Sequence, residues 1–282
     1  MAGRLARRIA SFGRYALRRT VATPLDRVVH WRSGALVPPA HLRIYYYGTS
    51  DREVFARACA GARAELVSRA LLPEHRVLDV GCGVGNLALG LKDYLRAGYD
   101  GVDVHREAVA WCQSAITPRH PAFRFHHADL KSEAYNPGGR SNPAAYRFPF
   151  PDARFDYVFL SSVFTHMLPD AVESYVREIA RLLAPGGLCV ASYFLLNDET
   201  RAAVHAGRSF IPFDYAHPSG VCRLHNPTTP ESAVALEEGF VRRAHEEARL
   251  VIRDIRRGEW AFGRPHDQDV LTVSRASSGP SL

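Results

Sequence analysis

A glycine-rich turn after a short apolar run constrains the fold of this chain more than any other feature. Residues 77–80 (VLDV) lead into 81–85 (GCGVG), and a helical pattern begins at Leu87. Glycine permits sharp turns and lets a ligand approach the main chain without a Cβ clash. A helix that starts directly behind such a turn offers unpaired N–H groups to a ligand. The pattern predicts a strand, a ligand-binding loop and a helix, which together form one unit of an α/β domain.

Beyond this turn, runs of strand length alternate with helical patterns, which favours a parallel sheet with helical crossovers. The chain has 282 residues, enough for one large domain of this kind. A helix is predicted from Asp51 to Leu72, with Ser50 or Asp51 as its N-cap. Seven strands are predicted, at 76–80, 98–102, 123–126, 156–160, 188–194, 250–256 and 270–274.

Two segments do not follow this alternation. Residues 131–151 are rich in Pro, Gly, Asn and Tyr, and residues 197–230 carry three histidines among Phe, Pro and Tyr. Long irregular loops in a compact domain are usually functional. We therefore interpret both segments as lids inserted in a domain that spans 71–282, and we assign 1–70 to a basic arm and to helices that cover the ligand.

The positive charge of the chain is concentrated at its N-terminus. The net charge is +7, but residues 1–32 contain eight arginines and one acid, and the remainder holds 28 basic and 28 acidic residues. Residues 3–21 show an apolar stripe at helical spacing, which predicts a basic amphipathic helix. This helix could dock on the body or on a second subunit, which allows a dimer. A peripheral membrane contact through 3–21, a nucleic-acid contact and a transit peptide are the other interpretations.

Composition argues against several other classes of protein. Hydrophobic residues make up 46% and charged residues 23%, which argues against disorder, and no run of 18 apolar residues predicts a membrane span. The neutral body disfavours a protein that coats nucleic acid. The five cysteines form no C-x-x-C pair, so neither a disulfide framework nor a zinc site is predicted. We expect a cytoplasmic protein, with the arm as a possible membrane contact.

Acidic residues near the glycine turn and after the next strands limit the kinds of ligand that this site could bind. A dinucleotide-binding fold is disfavoured by the G-x-G-x-G spacing and by Asp79, which lies two residues before the first glycine and suits a cationic ligand. Asp103 ends the second strand, where a carboxylate can bind the two hydroxyls of a ribose. Asp129 ends the third strand, and 182–187 (LLAPGG) leads into the fifth.

In this order, the motifs resemble those of the class I S-adenosylmethionine-dependent methyltransferases over roughly 76–194. The resemblance implies a Rossmann-like seven-stranded α/β sheet in the order 3-2-1-4-5-7-6. It also implies an antiparallel last strand, helices on both faces and S-adenosyl-L-methionine as cofactor. Further segments are similar to a bacterial subgroup that acts on small molecules: 135–139 (YNPGG), 162–169 (SVFTHMLP), 193–197 (YFLLN), 258–260 (GEW), 263–265 (GRP) and 268–270 (QDV).

The same resemblance implies cofactor contacts. Asp79 would face the methionine amino group, Asp103 would bind the ribose hydroxyls, and Asp129 with Leu130 would flank the adenine, although Asp129 could instead cap the following segment. The predicted set of cofactor contacts is Tyr46, Tyr47, Gly48, Asp79, Gly81, Cys82, Gly83, Gly85, Asn86, Asp103, Val104, Asp129, Leu130 and Ser161.

Methyl transfer from a sulfonium is an in-line displacement, so the protein mainly holds donor and acceptor in line. An oxygen or nitrogen acceptor must also lose a proton, which a nearby base can take. His166, which follows the fourth strand, is the candidate base, and the alternative is that it packs at a helix start or only lines the pocket. The predicted substrate contacts are Ser162, His166, Asn197, Tyr146 and His217, and no metal site is predicted.

The absence of two sequence motifs reduces the number of molecule classes that could accept the methyl group. Residues 160–163 read LSSV where amino-methylating DNA and protein enzymes commonly carry an N-P-P-Y-like tetrapeptide, and no cysteine follows a proline. We therefore predict methyl transfer to an oxygen or nitrogen of a small molecule or of a glycan or lipid intermediate, as in natural-product or glycan tailoring. The alternative is an RNA or ribosome-associated methyltransferase that uses the arginine-rich arm. A scaffold without catalysis is a third possibility.

Overall fold

The computed structural model of the protein describes residues 36–133, 135–264 and 267–276. The arginine-rich arm and the helix predicted at 3–21 lie outside these residues. In the described part of the chain, no helix is long and apolar enough to cross a membrane.

Strands of the described residues form two sheets. The large sheet has the order β10-β11-β5-β4-β1-β2-β3, and β11 runs antiparallel to both β5 and β10. The other neighbours in it are parallel. The seven predicted strands, their order and the antiparallel last strand are confirmed. The strands are β1 (Val77–Val80), β2 (Tyr99–Asp103), β3 (Phe123–His127), β4 (Phe155–Leu160), β5 (Leu183–Tyr193), β6 (Leu195–Leu196), β7 (Tyr215–Ala216), β8 (Cys222–Leu224), β9 (Val234–Glu237), β10 (Leu250–Arg256) and β11 (Asp269–Arg275).

Helices connect these strands and cover both faces of the large sheet. They are α1 (Ala40–Tyr47), α2 (Arg52–Ser68), α3 (Asn86–Leu91), α4 (Arg106–Ala115), α5 (Pro169–Leu182), α6 (Asp198–His205) and α7 (Glu238–Glu247). Short 3₁₀ turns occur at Pro143–Ala145, Phe164–His166, Pro230–Ser232 and Trp260–Phe262. Asp51 caps α2, because its carboxylate accepts a hydrogen bond from the Glu53 N–H at 2.8 Å.

Two apolar cores lie on opposite faces of the large sheet, because successive side chains of a strand point to opposite faces. Leu78 and Val80 of β1 belong to the core that α5 and α7 complete. Val77 belongs to the other core, together with apolar side chains of α2, α3 and α4. The strands are therefore rigid supports, and the loops at their carboxyl ends can be positioned accurately.

The segment 197–230 is more regular than the irregular lid predicted there. It contains α6, β7 and β8, and the small sheet has the order β6-β9-β8-β7. Phe194, Phe213 and Trp260 pack against one another with ring centroids 5.1–5.5 Å apart, which gives this unit its own apolar core. The segment 131–151 has little regular structure beyond one 3₁₀ turn and isolated backbone bridges, including Ser132 with Asn136.

Candidate functional site

A cavity of about 790 Å³ lies at the carboxyl ends of the central strands. Ligand cavities in proteins commonly have volumes of roughly 300–1,000 Å³, and open α/β sheets bind ligands at this edge. The cavity brings together predicted residues from five separate segments of the chain. They are Tyr46, Tyr47, Asp79, Gly81, Gly83, Asn86, Asp103, Val104, Leu130, Ser161, Ser162 and His166.

The glycine loop between β1 and α3 forms one wall. Gly81 has φ +81° and Gly83 has φ +51°, a backbone conformation that other residues rarely adopt. A Cβ atom at Gly81 would lie 2.6 Å from Val163, and one at Gly83 would lie 2.9 Å from the Tyr46 ring. Side chains would therefore fill this space, whereas glycine leaves the main chain open to a ligand.

Asp103, at the end of β2, is fixed by the backbone around it. Its two carboxylate oxygens accept hydrogen bonds from the Gly83 N–H and the His105 N–H, each at 2.7 Å. Burial raises the pKa of Asp103, and these two bonds oppose that rise. Because a carboxylate oxygen accepts more than one hydrogen bond, the group can still bind a pair of hydroxyls from the cavity side.

Asp79, at the third position of β1, is more deeply buried, with 3% of its surface exposed. The Tyr99 hydroxyl donates a hydrogen bond to its carboxylate. Burial raises the pKa of Asp79 to about 7, although the bond from Tyr99 lowers it. Among the described residues no cationic side chain pairs with Asp79, so a cationic ligand group would supply a favourable partner.

Helix α1 covers the glycine loop and is held there by the start of α4. The Tyr46 hydroxyl lies 3.1 Å from His105 Nδ1, and the Tyr45 ring lies 4.9 Å from the His105 ring. His41 Nε2 lies 3.0 Å from a carboxylate oxygen of Glu107. These contacts close the cavity above the loop.

His166 occupies the opposite part of the cavity, in the 3₁₀ turn that precedes α5. Its Nδ1 lies 3.0 Å from the backbone carbonyl oxygen of Glu231. A carbonyl only accepts hydrogen bonds, so Nδ1 carries the proton and Nε2 keeps its lone pair in the neutral ring. Burial lowers the pKa of His166, which keeps the ring neutral near neutral pH. The arrangement can take a proton from a bound group at Nε2.

Apolar and aromatic side chains line part of the same cavity, and one of them contacts His166. The Tyr135 ring lies 5.6 Å from the His166 ring, edge to face. Phe194 and Ile211 come from the small-sheet unit, and Phe210 at the cavity mouth is 63% exposed. A ligand in this part of the cavity would contact mainly apolar surface.

A polar pair interrupts this apolar wall. The Ser162 hydroxyl and the Gln268 side-chain amide are hydrogen bonded at 2.9 Å, and Ser162 adopts a positive φ of 55°. The Ser192 hydroxyl accepts a hydrogen bond from the Ser162 N–H at 2.7 Å, which helps to hold this uncommon conformation. The pair could orient a polar group of a ligand beside His166.

Several lining residues were not predicted from the sequence. Tyr135, Met167, Phe194 and Gln268 lie in segments whose subgroup resemblance could have indicated them. Other lining residues have no signal in the sequence, because they reach the cavity only through packing. They include Phe148, Tyr175, Phe210, Ile211, Glu231 and Arg256.

Three predicted cofactor residues support the loop and do not line the cavity. Gly48 ends α1 in a left-handed conformation with φ +71°. Cys82 is buried beneath the loop against Gly101. Gly85 is the N-cap of α3, and a Cβ atom there would lie 2.7 Å from Ile116.

Four other predicted residues also lie outside the cavity wall. Asp129 is held by Arg140, whose Nε donates to its carboxylate at 2.7 Å. Tyr146 packs against Phe148, with ring centroids 5.0 Å apart, and does not line the cavity. Asn197 caps α6 through a reciprocal pair of hydrogen bonds with Thr200, and exposed His217 bonds to Ser219.

Within the described residues, no three His, Cys, Asp or Glu side chains come together to hold a metal ion.

Comparison with known proteins shows which family part of this chain matches. Residues 78–191 match the profile of a family described as "Methyltransferase domain". An uncharacterized methyltransferase of Schizosaccharomyces pombe is 34% identical over 147 residues, which is 50% of this chain and 49% of that protein. A sterol 24-C-methyltransferase of the same organism is 26% identical over 171 residues, which is 57% of this chain and 41% of that protein. The chain thus spans about half, or less, of the length of these curated relatives.

A solved structure extends the comparison to the fold. The 1,6-didemethyltoxoflavin-N1-methyltransferase of Burkholderia thailandensis, with bound 1,6-didemethyltoxoflavin and S-adenosylhomocysteine, superposes with a TM-score of 0.53. The two are 20% identical, and the match covers 91% of this chain and 92% of that chain. At this level of sequence identity, the similarity shows a shared fold and nothing more.

The fold and the glycine–carboxylate site resemble those of the class I S-adenosylmethionine-dependent methyltransferases. Residues 78–191 match a methyltransferase domain, and S-adenosylmethionine is the cofactor that this match implies. The open glycine cradle and the two buried carboxylates fit that cofactor, which has a cationic amino group and a ribose.

Proposed function

We propose that this protein transfers a methyl group from S-adenosylmethionine to an oxygen or nitrogen of a small molecule or of a glycan or lipid intermediate. One observation carries the proposal: the Asp79 and Asp103 carboxylates and the His166 imidazole line the same cavity. The groups that would bind the methyl donor and the group that would accept a proton therefore line the same cavity.

We assign cofactor binding to the part of the cavity formed by β1, β2 and α1. Asp79 would bind the amino group, Asp103 the ribose hydroxyls, and the main chain at Gly81 and Gly83 would contact the cofactor directly. The bound cofactor supplies a methyl group on a positively charged sulfur. Tyr46 covers the loop and would exclude water from this part of the cavity.

The acceptor end is assigned to His166 and the aromatic wall. Nε2 of His166 would take the proton of the acceptor hydroxyl or amine, and the Glu231 carbonyl holds the ring so that this nitrogen stays unprotonated beforehand. Ser162 with Gln268 would orient a polar group of the acceptor. Phe194, Phe210 and Ile211 favour an acceptor with an apolar body.

The proposal is tested by incubating the full chain with methyl-labelled S-adenosylmethionine and with small-molecule, lipid and RNA fractions of a cell extract. Label is expected in the small-molecule or lipid fraction, and mass spectrometry of the product identifies the acceptor atom. Label confined to RNA would favour the alternative based on the arginine-rich arm. Cofactor binding without label in any fraction would favour a scaffold.

A further inference from the structure

Two side chains of the cavity wall, Glu231 and Ser232, lie beside His166 with few partners of their own. They are consecutive residues of the 3₁₀ turn Pro230–Ser232, and both line the cavity. The backbone carbonyl of Glu231 accepts the hydrogen bond from His166 Nδ1 at 3.0 Å. A carboxylate and a hydroxyl therefore belong to the same wall as the proposed proton acceptor.

The Glu231 carboxylate is half-buried and forms no ion pair with a side chain of the described residues. One of its oxygens accepts a hydrogen bond from the Glu133 N–H at 2.9 Å. Burial raises the pKa of Glu231, and this bond opposes the rise. The nearby charges are the acids Glu133 and Asp170 and the exposed cation Lys131. A cation bound in the cavity would stabilise the ionised carboxylate.

The Ser232 hydroxyl oxygen is buried, and the described residues give it no hydrogen-bond partner. Buried hydroxyls are almost always hydrogen bonded, because leaving one unpaired costs free energy. Since Ser232 lines the cavity, a molecule bound there can supply the partner.

This wall thus offers three groups that accept hydrogen bonds: the Glu231 carboxylate, the Ser232 hydroxyl and Nε2 of neutral His166. A substrate hydroxyl has one O–H and can satisfy one of them. A protonated primary amine has three N–H groups and a positive charge, so it can satisfy all three and pair with the carboxylate.

We propose that the methyl acceptor is a primary amine, bound as its cation with N–H groups donated to the Glu231 carboxylate and the Ser232 hydroxyl. The proposal rests on the proposed function, since it needs methyl transfer to take place in this cavity. It selects nitrogen over oxygen as the atom that is methylated.

The cation gives one proton to Nε2 of His166, which frees the lone pair of the nitrogen. This lone pair forms a bond to the methyl carbon, and the bond between that carbon and sulfur breaks with its electron pair left on sulfur. The products are a secondary ammonium cation, S-adenosylhomocysteine and protonated His166, which returns its proton to water. Glu231 and Ser232 hold the nitrogen in line with the methyl group.

The test uses the full chain, methyl-labelled S-adenosylmethionine, and the small-molecule and lipid fractions of a cell extract as probes. One portion of each fraction is treated with N-hydroxysuccinimidyl acetate, which acetylates amines, and then with hydroxylamine, which removes acetyl groups from oxygen. A second portion receives reagent that has been hydrolysed beforehand. Label is expected in the second portion and is expected to be lost from the acetylated one.

Two variants test the partners assigned to the amine. Glu231→Gln keeps the carbonyl that bonds to His166 and keeps a side-chain oxygen for the Glu133 N–H. Over a dilution series of the fraction that takes label, its KM should rise about tenfold or more, the effect of one charge-assisted hydrogen bond. Ser232→Ala should raise KM about three- to tenfold. Calorimetry should show unchanged affinity of both variants for S-adenosylhomocysteine.

Matched controls make the same chemical changes away from the cavity. Glu246→Gln and Ser114→Ala alter exposed residues that do not line it, and both should keep the wild-type KM.

Other results would overturn the proposal. Label that survives acetylation would assign methylation to oxygen, and the proposed function would stand. A wild-type KM in Glu231→Gln would remove the carboxylate from the acceptor site, and weakened binding of S-adenosylhomocysteine in that variant would indicate a structural role. An equal rise of KM in Glu246→Gln would indicate an effect of net charge. If the untreated fractions take no label, the proposed function itself fails.

Discussion

At the scale of the residue, Asp103 links the loop to the proposed cofactor. Asp103→Ala removes a carboxylate that accepts from the Gly83 and His105 N–H groups and would accept from ribose hydroxyls. We expect binding of S-adenosylhomocysteine, measured by calorimetry, to weaken by about 1–3 kcal/mol. Asp103→Asn retains one acceptor oxygen and should lose less. An alanine variant with wild-type affinity would contradict the ribose assignment.

We expect Asp79 to make cofactor binding depend on pH. Its pKa of about 7 means that the carboxyl group is largely protonated in mildly acidic solution and ionised above neutrality. Only the ionised form attracts a cationic amino group, so affinity for S-adenosylhomocysteine should rise from about pH 6 to about pH 8, with release of a proton on binding. Calorimetry in buffers of different ionisation heat measures both effects.

The control for this pH dependence is Asp79→Asn, which should bind more weakly and with little change over the same pH range. Equal pH slopes for the two proteins would assign the titration to another group. The same pKa shift predicts that the free energy of unfolding of the ligand-free protein falls as pH rises from 3.8 toward 7. The reason is that the folded state retains a proton that the unfolded state has released.

His166 is expected to affect turnover and not cofactor affinity. His166→Ala should lower the methylation rate roughly 100-fold, the scale of a lost general base. Because burial lowers the pKa of His166 from 6.5, the wild-type rate should be level around neutral pH and fall only in acid solution. Rates of acceptor methylation across pH measure this. Turnover of the alanine variant near that of the wild type would assign His166 to the cavity wall alone.

At the scale of the element, Asp269 joins the small-sheet unit to the large sheet. Its buried carboxylate accepts from the Leu195 N–H, the Gly258 N–H and the Trp260 indole N–H at 2.9, 3.0 and 2.7 Å. Asp269→Ala leaves three donors without this acceptor, so the free energy of unfolding should fall by about 3 kcal/mol or more, as measured by urea denaturation.

The neighbouring Asp267 offers a matched control for that prediction. Its carboxylate pairs with Arg256 at 2.8 Å and accepts one exposed hydrogen bond, from the Glu259 N–H at 3.1 Å. Asp267→Ala should cost about 1 kcal/mol or less. Similar losses in the two variants would contradict the role given to Asp269.

Element by element, the long strands were predictable and the short ones were not. The strands of the large sheet have four to eleven residues, long enough for an apolar run or an alternation to appear in their sequences. β6 and β7 have two residues each and β8 has three, too few for any periodicity to appear. They form because Phe194, Phe213 and Trp260 pack together from distant parts of the chain. The prediction of an irregular segment at 197–230 therefore missed a small sheet.

At the scale of the whole molecule, the charge separates into a neutral body and a basic arm. Residues 1–32 lie outside the described residues, but their deletion removes eight arginines and one acid. If the arm binds anionic membranes, the deletion should abolish co-sedimentation with vesicles of anionic lipid and leave turnover of a soluble acceptor intact. Lost turnover with unchanged vesicle binding would indicate instead that the arm acts at the cavity.

The sequence by itself determined the class of fold, the strand order implied by the resemblance, and the carboxylates and glycines that line the cavity at Asp79, Gly81, Gly83 and Asp103. These features are local, because a turn, a strand end and the acid beside it are contiguous in the chain. Only the tertiary structure decided which residues face the cavity. It brings Glu231 to His166 across 65 positions, and it holds Asp129 against Arg140. Such placements depend on how distant elements pack, and periodicity along a chain carries no information about the contacts between them.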